Sequence, residues 1–225
     1  MKKLLSIIIF QLFAIAGFAQ SQSDSNYSIG IKLLSIDEQP KLLNEVRADS
    51  KFYTSGLNGL MLKINDNQIS YRFSVYGFKK GDYSFTNECS NCEIVKGKYN
   101  SLDLQIGFER SLIYSRLQPF YGFDMGFKRV TFGGKSYDKG SNNFLYNVNI
   151  EKNAVAFSPF IGIKYNLVRQ LTLSAEAGFD FIRTNDKETK TQANNAPLSN
   201  NNFSRWQYNS RPLAQLSLQF NFGRD

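Results

Sequence analysis

Apolar residues fall on every second position in eight stretches of this chain, and polar residues fill the positions between them. The last stretch, Leu213 to Phe222, is the clearest: Ala214, Leu216, Leu218, Phe220 and Phe222 lie on one face, Gln215, Ser217, Gln219 and Asn221 on the other. That period of two is the signature of an extended strand, whose successive side chains point to opposite faces. The same alternation predicts strands at Tyr27 to Leu33, Gly59 to Ile64, Ile69 to about Tyr83, Ser101 to Glu109, Tyr121 to Lys128, Phe157 to Tyr165 and Leu171 to Phe181. Pro159 cannot donate to a ladder, so it is expected near a strand end or a bulge.

Between the strands, connections alternate in length. Positions 36–51, the cysteine segment up to 98, 133–153 and 184–211 read as long loops, while Asp66-Asn67, 111–116 and 166–170 read as tight turns. Alternating long and short connections belong to an up-and-down meander, and an even strand number puts both ends of the chain on one side. The predicted fold class is all-β: a closed antiparallel up-and-down transmembrane β-barrel of about eight strands, with four long outer loops and short periplasmic turns. A helical membrane protein is excluded for the region after Ala19, where no stretch reaches the roughly twenty apolar residues that a membrane helix needs.

The N-terminus supplies an address. Lys2 and Lys3 precede an apolar run from Leu4 to Ala16, and Gly17-Phe18-Ala19 offers small residues for cleavage before Gln20. We read residues 1–19 as a secretory signal peptide, 20–26 as a short polar lead and 27–222 as the barrel domain. Removing two lysines takes the formal charge from +8 to +6. Export, with cations that are scattered rather than striped, argues against nucleic acid as the partner. Cys89 and Cys92 form a Cys-x-x-Cys pair without histidines or a second pair to complete a metal site. A small loop disulfide in an oxidising compartment is the simplest reading, with a reactive or metal-binding pair as the alternative.

If the apolar face meets lipid, the other face carries charge inward. The inward bases are Lys32, Lys63, Arg72, Lys128 and Lys164, and the inward acids are Asp103, Glu109, Asp124, Glu176 and Asp180. An eight-stranded lumen is only wide enough for side chains, and unpaired charge there is costly. Five of each sign predict a balanced, plugged interior rather than a conducting one. Asp124 with Glu176 could instead form a catalytic carboxylate pair, which would need environments that separate their proton affinities.

With these features in place, the chain resembles the small eight-stranded outer-membrane β-barrel domain family of Gram-negative bacteria, the porin-like and OmpX-like barrels. The resemblance covers about Tyr27 to Phe222 and rests on strand pattern, signal peptide and the aromatic closing strand. It implies location in the cell outer membrane, contact with outer-membrane lipid and lipopolysaccharide, and delivery by the barrel-assembly machinery, which in that family reads a closing strand commonly ending in phenylalanine. Here Gly223-Arg224-Asp225 follows Phe222, a departure from that pattern. Enzymes among outer-membrane barrels look to depend on histidine, and this chain has none. No enzymatic activity and no cofactor are expected.

Recognition then falls to the outer loops, since loops on a rigid scaffold carry binding. Phe144, Tyr146, Phe203 and Trp206 interleave there with Lys135, Lys139, Lys187, Lys190 and Arg205, a combination suited to a surface glycan, lipopolysaccharide phosphates or a protein ligand. The same residues could equally be interfacial aromatics among solvated lysines. Three functions follow: a non-enzymatic barrel with a structural, adhesive or surface-binding role, an outer-membrane enzyme using inward carboxylates, and a secreted lipocalin-like barrel with the opposite face assignment.

Overall fold

A computed structural model of the chain describes residues 26–43, 50–86 and 93–223. The expected signal peptide and the Cys89/Cys92 pair lie outside the described residues. Eight strands follow one another in sequence order: β1 (Tyr27–Glu38), β2 (Phe52–Asp66), β3 (Ile69–Thr86), β4 (Glu93–Ser111), β5 (Leu117–Asp138), β6 (Phe144–Val168), β7 (Leu171–Thr191) and β8 (Pro197–Phe222). Each pairs antiparallel with the next, and β1 closes the ring against β8. Closure leaves no sheet edge along most of the wall. At the seam, Tyr27 lies opposite Phe222, their rings stacked at 5.9 Å.

The strands are longer than the alternation suggested. Positions 133–153 and 184–211, expected as loops, continue β5 into β6 and β7 into β8, leaving turns at only 139–143 and 192–196. Pro159 also departs from expectation. It sits in the interior of β6 opposite Phe123, and the β6–β7 ladder omits Ser158 and Pro159 without a register change.

Which face is apolar depends on height. In the half that carries the short turns and both chain ends, large apolar side chains point outward, and many are well exposed, among them Ile64, Tyr71, Ile106, Ile161 and Phe220. Toward the long-connection end the apolar residues point inward instead. Tyr83, Phe85, Val95, Tyr99, Phe132, Val148 and Ile150 form one buried cluster inside the barrel, joined by Leu42 and Leu43 from the β1–β2 connection. On β4 the switch falls between inward Tyr99 and outward Leu102, and β4 pairs with β5 from end to end without a register shift. A one-residue slip would exchange the faces, so on β4 and β5 the switch is written in the sequence, whereas on β3 a register shift between Lys80 and Tyr83 moves the inward parity from Tyr76 to Tyr83 and Phe85.

Inside, small residues make room for large ones. A Cβ at Gly162 would lie 2.5 Å from the tip of the Phe120 ring, and one at Gly122 would overlap Phe160. These two glycines let Phe120 and Phe160, whose rings meet edge to face at 6.1 Å, fill the lower lumen.

One seam is incomplete. β2 pairs with β3 only from Gly59–Tyr76 down to Asp66–Ile69. Above Gly59, β2 stays with β1 and β3 stays with β4, so the wall parts there. Leu57, beside the parting, adopts a left-handed backbone (φ 47°) and is 75% exposed.

Candidate functional site

The lumen is the most elaborated feature of the molecule, and its charges fall into three layers. In the lowest, Glu109 accepts from Lys63 (2.7 and 2.8 Å), forms an ion pair with Lys164 at 2.5 Å and receives a longer contact from Arg72 at 3.3 Å. Arg72 reaches Glu176 through both terminal nitrogens at 2.9 Å and Asp124 at 2.7 Å. Its guanidinium lies 4.0 Å from the centre of the Phe160 ring. Tyr76 donates to Gln215, and Gln215 in turn donates to Glu176 at 2.6 Å. Three bases, Lys63, Arg72 and Lys164, meet three acids, Glu109, Asp124 and Glu176.

The middle layer repeats that balance. Lys128 binds Asp180 and lies 3.4 Å from Asp103. Arg211 spans Asp37 at 3.1 Å and Asp180 at 3.2 Å. Lys32 is 3.9 Å from Asp37 and 4.4 Å from the Tyr76 ring centre. Between this layer and the aromatic cluster lies a cavity of about 90 Å³, bordered by Lys32, Tyr53, Tyr76, Tyr99, Asp103 and Arg211 among others.

The third layer fastens the β1–β2 connection across the mouth. Lys152 and Arg205 both pair with Asp186, at 2.8 and 2.9 Å. The same two cations donate to the backbone carbonyl of Lys41, at 2.7 and 3.1 Å, next to the buried Leu42 and Leu43.

All ten charged residues assigned inward from the alternation point into the lumen, and the structure adds partners that sequence reasoning missed: Asp37, Arg211, Lys152, Asp186 and Arg205. All five lie in stretches expected to be loops, Asp37 just past the expected end of the first strand. A usable signal existed around Val148, Ile150 and Lys152, which keep the inward parity of Ala154 and Ala156. Along 184–191 both faces are polar and no alternation marks the strand.

The four aromatic residues proposed for an outer binding surface do not converge. Tyr146 turns inward, donates to Glu93 and packs against the buried cluster, with Lys190 4.6 Å from its ring centre. Phe203 is half-buried beneath Arg205, Phe144 packs edge to face on Tyr137 near the β5–β6 tip, and Trp206 stands on the outer wall beside Arg183. The catalytic alternative for Asp124 and Glu176 fares no better geometrically, because both carboxylates are engaged by the Arg72 guanidinium and almost fully buried. A lipocalin-like interior would be apolar along its length, whereas this lumen is ionic below the aromatic cluster.

The architecture is that of an outer-membrane-type barrel of eight up-and-down strands. It is similar to a major outer membrane protein from Thermus thermophilus, with a TM-score of 0.50 and 11% identity over 87% of this chain and 99% of that one. A more distant likeness is to the P. putida toluene transporter TodX, with a TM-score of 0.32 and 8% identity over 81% of this chain and 52% of that one. The first likeness concerns the fold. No family model and no curated protein sequence matches the chain.

Proposed function

We propose that the protein is an integral outer-membrane β-barrel with a filled, non-conducting lumen, and that its role is structural, adhesive or surface-binding through the part that stands above the membrane. The observation that carries this reading is the switch of apolar face along unbroken strands. A strand with apolar residues outside and charge inside suits lipid. The same strand a few residues further on, with aromatic residues inside and lysines outside, suits water. On β7 the outward apolar run from Leu171 to Phe181 spans 11 residues, the length a tilted strand needs to cross a bilayer.

Two charge-balanced layers, a third in which Lys152 and Arg205 share Asp186 across the mouth, and an aromatic cluster support a closed interior. Lipopolysaccharide and lipid would surround the lower wall, the barrel-assembly machinery would insert the chain, and a surface glycan or protein would be the ligand of the outer part. The test is twofold. Membrane fractionation should place the protein in the detergent-requiring fraction with heat-modifiable gel migration, and planar bilayers containing it should show no stable conductance. Recovery in the soluble periplasm would sink the membrane reading, and steady single-channel steps would sink the closed lumen.

A further inference from the structure

The outer wall above the apolar belt is not uniform. On β3, β4 and β5 the outward side chains there include Lys79, Lys96, Lys98, Arg129 and Lys135, all exposed. Asp82 is the acid exposed beside them, and none of the five cations has a carboxylate partner among the described residues. On β6 to β8 the corresponding positions hold Arg183 and Lys187 against Glu151, amid asparagines. Charge is therefore concentrated on one half of the wall.

Register places the five cations as neighbours. Lys96 lies directly opposite Lys135, Lys98 follows two residues below Lys96, and Lys79 pairs with Asn100, a diagonal step from Lys98. Arg129 lies opposite Leu102, the top of the continuous outward apolar run Leu102, Leu104, Ile106 and Phe108 on β4. Directly opposed like charges destabilise a sheet unless something of opposite sign lies over them. The patch thus begins where the belt ends and climbs six residues of β4, from Leu102 to Lys96, about 20 Å along a strand. Even allowing for tilt, that is taller than the headgroup layer of a phospholipid, roughly 5 to 8 Å on each side.

A second feature adjoins it. Where β2 and β3 part, an open crevice on the wall is bordered by Leu57, Leu102, Asn100 and Lys79. Its apolar flanks lie at the top of the belt and its cation stands just above.

We propose that this half of the wall is a docking site for a phosphorylated glycolipid of the outer leaflet, with phosphates over Lys79, Lys98, Arg129 and the Lys96/Lys135 pair and an acyl chain against Leu57 and Leu102. The site rests on the membrane reading given above. Phosphate is matched by clustered ammonium and guanidinium groups, and a tall headgroup bearing several phosphates matches the height of the patch.

The test uses the full chain refolded into phosphatidylcholine vesicles, with heat-modifiable migration as the check of insertion. Phosphorylated rough lipopolysaccharide, or its dephosphorylated form, is then added, and the glycolipid retained through purification in zwitterionic detergent is measured by mass spectrometry. The triple variant Lys79→Gln/Lys98→Gln/Lys135→Gln should retain at least about tenfold less phosphorylated glycolipid, given the contribution of each cation near a charged membrane surface. Arg183→Gln/Lys187→Gln, on the other half, should retain as much as the unaltered protein. Equal losses in both variants, equal retention of the dephosphorylated form, or displacement by free inorganic phosphate would each overturn the site while leaving the barrel reading intact. Failure to insert would remove the membrane reading and this site with it.

Discussion

Arg72 and Glu176 meet in the middle of the lumen as a two-pronged ion pair, Nη1 to Oε1 and Nη2 to Oε2, each at 2.9 Å. The residues come from β3 and β7, on opposite sides of the ring, so the pair ties the wall across its diameter. The planar guanidinium serves this geometry better than an ammonium would, since it engages Asp124 with the same group.

Replacing Arg72 by Ala leaves Glu109, Asp124 and Glu176 with less compensation in a buried place. Removing one partner of such a pair costs about 3 to 5 kcal/mol. Denaturant unfolding in detergent micelles should show a loss of that size for Arg72→Ala, and a smaller one for Arg72→Lys, which keeps the charge but not the fork. Equal stability of all three proteins would mean that the network contributes nothing.

Face assignment along the belt can be probed at neighbouring positions. Leu104→Arg and Leu218→Arg should impair insertion into vesicles by about 2 to 4 kcal/mol near the midplane. Gln105→Ala and Gln219→Ala, whose side chains are buried in the lumen, should insert normally. Parallel defects in the two pairs would contradict the outward and inward assignments.

Leu42 is fully buried among the aromatic residues of the upper lumen, although it belongs to a connection between strands. Leu42→Ala should lower unfolding stability by about 2 to 5 kcal/mol, as for other large-to-small changes in a packed core. Bilayer conductance should stay silent in this variant, because the ionic layers beneath are untouched. Channel openings would show that the connection alone closes the barrel.

The β5–β6 tip has its own pH dependence. Asp138 accepts from the Ser141 amide at 2.7 Å, the Ser141 hydroxyl at 2.8 Å and the Gly140 amide at 3.0 Å. These donors, the Ser141 amide foremost, hold its carboxyl below the usual aspartate range. A group whose affinity for protons is lowered by folding stabilises the fold above its unfolded value and loses that contribution as the pH falls through the folded one. Hydrogen exchange at Ser141 should therefore quicken as the pH drops below about 4, after correction for intrinsic rates, and Asp138→Ala should exchange quickly at every pH.

Alternation was legible wherever one face was apolar and the other charged. It located all eight strands and the ten inward charges, because a period of two puts each residue unambiguously on one face. The upper strands were harder to read. Along 184–191, inward Asp186 and Glu188 alternate with outward Lys187 and Thr189, so both faces look alike in sequence although only one is buried. The aromatic residues Tyr146 and Phe203 read as surface groups because their stretches read as loops.

By itself, the sequence determined the strand period, the number of strands, the identity of the lower face and the sign balance of the charges on it. These are local properties, set by which neighbours two residues apart share a side. Only the tertiary structure decided who pairs with whom across the lumen, how Arg211 and Lys152 enter the layers, where β2 parts from β3, and how Leu42 and Leu43 fold into the mouth. Those relationships join residues as far as 174 positions apart, as with Asp37 and Arg211. They exist only once the ring closes, because closure is what brings opposite walls within reach of a single side chain.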